Sequence, residues 1–261
     1  TTGNKRFEIP AFDCKVAQDM IWVRSRNIGT ADYNPIDLVA LQSEDEVFGG
    51  IVNLHIKAPF QLVIDNMSEL EHTGSVHRYL AFDIHDFDSV TTAAELDDDT
   101  VKILYSGRQR GLPGFLRAIS GLQKDDFYHQ TAEVRMDPPH ANYKIWWADD
   151  DKSSTVRPFG LRFTIFYTPI DETNTRLFAF LYWNAKSKLR HKAMQITAPI
   201  YREIVKMELK RDQAIIESLP AAECTLDYFK LSKFDKPMRL SRALVDRKYS
   251  DTAPKPPEMH S

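Results

Sequence analysis

Two kinds of hydrophobic periodicity follow one another in the first third of the chain. In residues 51–58, Val52, Leu54 and Ile56 alternate with polar neighbours, which predicts a half-buried strand. From residues 59–72 the apolar positions recur at helical spacing among strong helix formers, so a helix is predicted there. Ahead of both lie two short extended segments, FEIPAF and MIWVRS, and a polar connection.

The centre of the chain is rich in aromatic and β-branched residues, in segments short enough for strands. These segments are FDIHDF, TVKILYSG, TAEVRM, NYKIWW, RPFGLRFTIFYT and TRLFAFLYW. The last two flank the polar loop PIDETN, which predicts an antiparallel hairpin and therefore an antiparallel sheet. A second long helix is predicted over residues 197–219, with Thr197 as N-cap, Pro199 in its first turn and Pro220 as its stop. Strands and helices together indicate an α+β fold.

This pattern divides the chain into three regions. Residues 1–45 form an attachment, residues 46–232 form one large domain, and residues 233–261 form a charged tail that we expect to wrap the surface or fray. With 43% apolar residues among 261, the chain can bury a full core without disulfides or metals to stabilise it.

Charge and cysteine content exclude several classes of function. The 34 basic and 37 acidic residues give a net charge of -3. This charge does not favour binding to a phosphate backbone, so we expect no nucleic acid partner. Cys14 and Cys224 are the two cysteines, which favours a reducing compartment over secretion. No apolar run approaches the roughly 20 residues of a membrane span, and the N-terminus lacks the apolar segment of a signal peptide. We therefore expect a cytoplasmic protein.

Possible metal ligands are concentrated between Asn66 and His77. Asn66, Glu69 and His72 stand three apart, so on a helix they form one stripe. His72 and His77 are five apart and would point well away from each other on an unbroken helix. The helix is therefore expected to deform between them, and Gly74 is the residue best able to take the turn.

A carboxylate that could join the two histidines lies on the second long helix. Asp212 falls on the apolar stripe of that helix, formed by Val205, Leu209, Ile216 and Leu219. An ionised carboxylate on a core-facing surface is costly unless it is paired or bound to a metal. Two imidazoles and one carboxylate on one face of a metal are the ligand pattern of iron(II) oxygenases. Two alternatives stay open: the histidines could be surface or capping residues, and Asp212 could pair with Lys210 or Arg211.

Two motifs resemble those of one enzyme family. Asn-x-x-Glu-x-x-His-x-x-x-x-His, from Asn66 to His77, resembles the mononuclear-iron motif of Rieske non-haem iron oxygenases, which usually carries Asp where this chain has Glu69. The segment from Asp212 to Glu217 is similar to the family's C-terminal ligand segment. The resemblance implies a helix-grip (START-like) catalytic domain, with a curved antiparallel sheet around a long C-terminal helix. It also implies a mononuclear iron(II) held by His72, His77 and Asp212.

The N-terminal stretch IPAFDCKVAQDMIWV resembles the end of the Rieske domain in the chlorophyllide and pheophorbide oxygenase branch, which would also allow a plastid stroma location. Residues 1–45 are then the edge of that domain and its connection. A Rieske [2Fe-2S] cluster needs Cys-x-His and Cys-x-x-His pairs. Neither cysteine has such a partner, since Val16 follows Cys14 and Leu226 follows Cys224 at that spacing. The cluster is therefore expected ahead of Thr1 or on another polypeptide.

The resemblance also implies roles and partners. Electrons from the Rieske domain of a neighbouring subunit would reach the iron through Glu69, hydrogen-bonded to His72 or His77. Asn66 would lie in the pocket wall, although a helix-surface amide is an equal reading. It further implies a ferredoxin or an NAD(P)H-dependent reductase as electron donor and dioxygen as co-substrate. The expected assembly is a homotrimer or a higher oligomer.

We expect the substrate to be hydrophobic and aromatic or ring-containing, because aromatic strands over residues 142–147 and 163–167 supply apolar wall. Hydroxylation, by mono- or dioxygenation, and oxidative demethylation are both compatible with the resemblance.

Two other functions remain as alternatives. The helix-grip fold also serves non-catalytic carriers of apolar ligands. A metal hydrolase could use the same three ligands around zinc, but apart from Glu71 the motif offers no nearby general base.

Overall fold

The structure is a computed structural model that describes residues 11–17, 20–25, 43–185, 187–219 and 232–249. The chain divides into two units, Thr1–Glu44 and Asp45–Ser261. In the first unit, β1 (Phe12–Ala17) and β2 (Met20–Ser25) form an antiparallel pair. MIWVRS is a strand as predicted. Of FEIPAF, residues 7–10 lie outside the described part, and β1 begins at Phe12.

Antiparallel strands form one seven-stranded sheet in the second unit. They are β3 (Glu46–Ile56), β4 (Thr91–Asp97), β5 (Thr100–Arg108), β6 (Phe127–Met136), β7 (Pro139–Ala148), β8 (Val156–Asp171) and β9 (Asn174–Asn184). Their order is β3-β9-β8-β7-β6-β5-β4, so β4 to β9 form a meander and β3 returns beside its last strand. The predicted hairpin is confirmed, because β8 pairs with β9 across Glu172 and Thr173.

The helices of the second unit complete an α+β fold. They are α1 (Phe60–Ser68), α2 (Glu71–Val76), α3 (Gly114–Ser120), α4 (Lys188–Ile216) and α5 (Lys236–Tyr249). The predicted class, an antiparallel sheet with a long helix near the C-terminus, is confirmed. Within the described residues, no helix combines the length and the apolar character needed to cross a membrane.

The long helix α4 begins nine residues before the predicted Thr197. Ser187 caps it, because its hydroxyl accepts a hydrogen bond from Arg190 N at 3.3 Å. Thr197 lies inside the helix and donates from Oγ1 to Ala193 O at 2.9 Å. Pro199 is therefore an interior proline, and it is exposed, as is Gln195 one turn earlier. The backbone hydrogen bond that proline removes is thus lost on the solvent side of the helix.

Three further predictions differ from the structure. FDIHDF is not a strand, because the Asp83 side chain accepts from His85 N at 3.0 Å and caps a 3-10 helix, Ile84–Ser89. The edge strand β4 was not predicted, since most of its side chains are exposed. Leu219 follows the end of α4 and is 38% exposed, so it is not part of the apolar stripe.

The expected C-terminal tail contains a packed helix. In α5, Met238 and Leu244 are buried, and the helix lies against α1 and strands β4 to β6. Arg242 on α5 pairs with the buried Asp65 on α1. Residues 250–261 lie outside the described part.

Candidate metal centre

The backbone between α1 and α2 places the two histidines. Glu69 is extended (φ -94°, ψ 157°) and ends α1, and His77 is extended (φ -74°, ψ 149°) and ends α2. The Glu69 carboxylate accepts from the backbone N–H of Glu71 at 2.6 Å and of His72 at 3.3 Å, so it caps α2. The helix predicted over residues 59–72 is thus interrupted at Glu69. The expected break between His72 and His77 is confirmed, because α2 ends at Val76 and His77 is extended, but Gly74 does not take the turn.

Gly74 has a packing role instead. It lies inside α2 and is buried. A Cβ at this position would lie 2.3 Å from Cε2 of Phe87. The glycine therefore allows α2 to approach the 3-10 helix Ile84–Ser89, and it does not serve as a turn.

Three possible ligand atoms converge where α2 faces α4. Asp212 Oδ1 lies 2.9 Å from His77 Nε2 and 3.3 Å from His72 Nε2. One donor atom from each residue lies within 4.8 Å of the others. Ligands at right angles, each about 2.1 Å from a metal ion, would stand about 3 Å apart. The donor set therefore fits one ion bound on a single face by two imidazoles and a carboxylate.

The charges of this group are strongly coupled. Asp212 is only 2% exposed. Burial would raise its pKa, but His77 and His72 hold the pKa well below its usual range. Burial would lower the pKa of His72, but hydrogen bonds to Asp212 and Glu69 outweigh it and raise the pKa to about 10. An ionised carboxylate thus lies between the imidazoles, where a bound cation would replace protons.

The alternative partners proposed for Asp212 lie elsewhere. Arg211 pairs with Glu208 at 2.9 Å, and Lys210 is exposed.

Glu69 and Asn66 lie at the boundary between the metal centre and the surface. Glu69 Oε1 is 2.5 Å from His72 Nδ1, which directs Nε2 of the same ring toward Asp212. Both Glu69 and Asn66 line the inner cavity and also an outer groove that contains Glu71 and Ile215. The Asn66 Oδ1 atom is buried and has no hydrogen-bond partner among the described residues.

One important residue was not predicted. Glu208, 2% exposed on α4, accepts from the backbone N–H of Arg78 at 3.0 Å and of Tyr79 at 2.7 Å. It therefore holds the chain directly after His77. Its position one helical turn before Asp212, on the same stripe, is the sequence signal that could have identified it.

A cavity between the sheet and α4 adjoins the metal centre. It encloses about 580 Å³, counting the open solvent at its mouth. The predicted aromatic strands contribute Tyr143, Ile145, Phe163 and Ile165 to its wall. Unpredicted lining comes from Tyr128 and Gln130 on β6 and from Val205 and Leu209 on α4. The site is thus a polar cluster that could hold a metal ion, beside a largely apolar cavity.

Comparison with known families decides the class of protein. The model of the vanillate O-demethylase oxygenase C-terminal domain matches residues 56–248, which is most of the chain. The chain belongs to this family. It is the catalytic domain of a Rieske-type oxygenase, as the two motifs suggested, and hence an oxidoreductase domain. The finer resemblance to the chlorophyllide and pheophorbide branch is not confirmed.

Solved structures show the same fold. The chain is similar to dicamba monooxygenase bound to dicamba, with a TM-score of 0.67, 16% identity, and coverage of 93% of this chain and 71% of that one. It is also similar to a mutant of NdmA from Pseudomonas putida CBB5 with caffeine (TM-score 0.62, 15% identity, 92% and 62% coverage). NdmB from the same organism gives a TM-score of 0.60 and 17% identity, with 92% and 61% coverage. The chain thus spans about two thirds of the length of these proteins. No curated protein matches the sequence.

Proposed function

We propose that this oxygenase domain binds one iron(II) ion through His72, His77 and Asp212 and oxidises a hydrophobic, ring-containing substrate held in the adjoining cavity. The observation that carries the proposal is the convergence of the three donor atoms within 4.8 Å, beside that cavity. When bound, iron(II) supplies one-electron chemistry with dioxygen. A carrier of apolar ligands would have no need for a buried carboxylate between two imidazoles.

The protein's own contribution is to hold the ligands and exclude water. The Glu69 carboxylate accepts a hydrogen bond from Nδ1–H of His72, which leaves Nε2 of that ring to bind the metal. Asp212 supplies the negative charge that offsets part of the cation's charge. The stacked rings of Tyr143 and Phe163, with centroids 4.7 Å apart, form an apolar wall suited to a planar ring.

Substrate and reaction are further parts of the proposal. The similar structures are bound to dicamba and to caffeine, and an aromatic ring of that size suits this wall. We infer hydroxylation or oxidative demethylation of such a ring compound. The electrons would come from a [2Fe-2S] Rieske cluster outside this sequence, fed by a ferredoxin or an NAD(P)H-dependent reductase, in a homotrimer or higher oligomer.

Glu69 is the proposed entry for electrons. Its carboxylate contacts His72 on one side and lines the outer groove on the other, with 14% of the side chain exposed. It is thus the group through which a cluster docked on that groove would reach the metal ligands.

The metal assignment is tested by iron content. The 261-residue chain reconstituted with iron(II) should hold one iron, whereas His72→Ala and Asp212→Ala should hold little. His55→Ala, an exposed histidine bonded to Asn174, is the matched control and should bind iron as the wild type does. If the wild type binds no iron and His72→Ala changes nothing, the carrier alternative replaces the oxygenase assignment.

Dioxygen dependence separates the oxygenase from a zinc hydrolase. With a Rieske protein supplied, product formation should stop when dioxygen is removed. Product that still forms without dioxygen would favour the hydrolase.

The role of Glu69 is tested against its neighbour Glu71. Glu69→Ala removes the hydrogen-bond partner of His72, so iron affinity should fall roughly 10- to 100-fold. Glu71→Ala, which changes the same outer groove but no ligand contact, should leave iron affinity unchanged. Glu69→Gln should also slow reoxidation of a reduced Rieske protein. Equal effects at the two positions would refute a special role for Glu69.

A further inference from the structure

Gln130 on β6 has a side-chain amide that is hydrogen-bonded at one end only. It is 9% exposed and lines the cavity opposite α4. Its Oε1 accepts a hydrogen bond from the Tyr128 hydroxyl at 2.5 Å. Its Nε2, in contrast, has no protein acceptor among the described residues. A pair of amide N–H donors is thus left at the cavity wall.

The orientation of this amide is set by Tyr128. The phenol ring is 1% exposed and lies edge-on to Phe82 and Trp147, with centroids 5.2 and 5.6 Å away. Its hydroxyl needs an acceptor in this buried position, and within the described structure Gln130 Oε1 provides it. The amide nitrogen must therefore point the other way.

The other polar groups on the sheet side already have partners. The Tyr143 hydroxyl donates to Met67 O at 2.6 Å, and the Tyr128 hydroxyl is used by Gln130. The remaining sheet-side lining is apolar, from Ile145, Phe163 and Ile165. Among the described lining residues of the sheet, Gln130 Nε2 is thus the donor available to a ligand.

The charge of the lining restricts the ligand further. No lysine or arginine lines this cavity among the described residues, whereas Glu69, Glu208 and Asp212 do. A carboxylate held at Gln130 would exchange its hydration for one neutral amide donor, on a sheet wall that offers it no charged partner among the described residues. An uncharged acceptor oxygen loses far less hydration free energy on entering the cavity.

We propose that Gln130 is the specificity-determining residue of this cavity, and that its Nε2 donates to an uncharged carbonyl or ether oxygen on an aromatic substrate. This rests on the proposed function only in taking the cavity as the substrate site. The donor on the sheet and the metal ligands on α2 and α4 lie on different walls of one space. A substrate anchored at Gln130 would therefore occupy the cavity that the proposed ligands also line.

The test is a binding comparison on the metal-free 261-residue chain by isothermal titration calorimetry. The probes are acetophenone, cumene, which replaces the carbonyl oxygen by a methyl group, and benzoate, which is charged. One net hydrogen bond should favour acetophenone over cumene roughly three- to tenfold more in the wild type than in a variant that lacks the donor. Benzoate should bind more weakly than acetophenone.

Variants at Gln130 decide the assignment. Gln130→Leu should shift the ratio of the acetophenone and cumene dissociation constants roughly three- to tenfold in favour of cumene. Gln130→Met keeps the unbranched length of the side chain but has no N–H to donate, so it should give the same shift, and it serves if the leucine variant does not fold. Gln195→Leu, the same change at an exposed amide on α4, should keep the wild-type ratio.

The proposal is overturned if both Gln130 variants keep the wild-type ratio, if benzoate binds tighter than acetophenone, or if none of the probes binds. Because these measurements use no iron, they are independent of the iron-content test. Loss of iron binding with intact selectivity would refute the metal assignment and leave the role of Gln130 standing.

Discussion

Gly74 in α2 faces the ring of Phe87, and this contact leaves no room for a side chain. An added Cβ would lie 2.3 Å from Phe87 Cε2, so Gly74→Ala must displace the ring or the helix. We expect the free energy of unfolding to fall by about 1–3 kcal/mol, measured by equilibrium urea denaturation. Phe87→Leu in the same background should recover part of the loss.

Gly111 provides the control for this prediction. A Cβ there would meet nothing within 4 Å, so Gly111→Ala should change stability by no more than about 0.5 kcal/mol. If the two alanine variants lost stability equally, the close contact with Phe87 would not be the cause.

Single residues of the site were predictable where their chemistry is unusual. Two histidines five apart and an aspartate on an apolar stripe indicate ligands by residue type and position. Glu208 gives a weaker signal, its position one helical turn before Asp212, because an acid close to Arg211 on a helix is usually a solvated ion pair. Its role depends on the backbone N–H groups of Arg78 and Tyr79, about 130 positions away, which no local pattern contains.

At the scale of elements, strands with many buried apolar residues were predictable from the sequence, and exposed or capped segments were not. The pair β8 and β9 is rich in aromatic and β-branched residues and is joined by a polar turn, so pattern and structure agree. In β4 only Ala94 is buried, so little alternation remains to detect. The start of α4 was misplaced because Pro199 is typical of a first turn, whereas here the proline lies on the exposed side of the helix.

Pro199 offers a test of how α4 tolerates an interior proline. Pro199→Ala restores a backbone donor and removes the ring from an exposed helical position. Stability should rise, by up to about 3 kcal/mol, measured as the shift in the urea midpoint at constant slope. Pro113→Ala, at the N-cap of α3 and outside any helix interior, should give no gain. A loss of stability in Pro199→Ala would mean that the proline shapes the helix.

At the scale of the whole molecule, the C-terminal helix belongs to the packed structure and not to a tail. Sequence could not show this, because α5 is polar on average and its buried partner lies on α1. Arg242 makes an ion pair with Asp65, which is 6% exposed and lies 177 positions earlier. The packing of α5 on α1 also bears on the candidate site, because α1 leads directly into Glu69 and His72.

Removing this ion pair should be costly. Arg242→Ala leaves the Asp65 carboxylate buried without its cation, so the free energy of unfolding should fall by about 3–5 kcal/mol. Arg239→Ala, an exposed arginine on the same helix, is the control and should have little effect. Thermal and urea denaturation of both variants measure the difference. A similar small change in both would show that this ion pair contributes little to stability.

The two buried carboxylates of α4, Glu208 and Asp212, link movement of this helix to movement of His77. Asp212 approaches the His77 ring, and Glu208 holds the peptide groups directly after His77. The two acids are four residues apart, about 6 Å along one helix. A slide or rotation of α4 would therefore carry His77 along with Asp212. Asp212 and His77 are 135 residues apart in sequence. The helical turn between Glu208 and Asp212 sets the spacing of these two proposed ligands, so small shifts elsewhere in the fold do not change it.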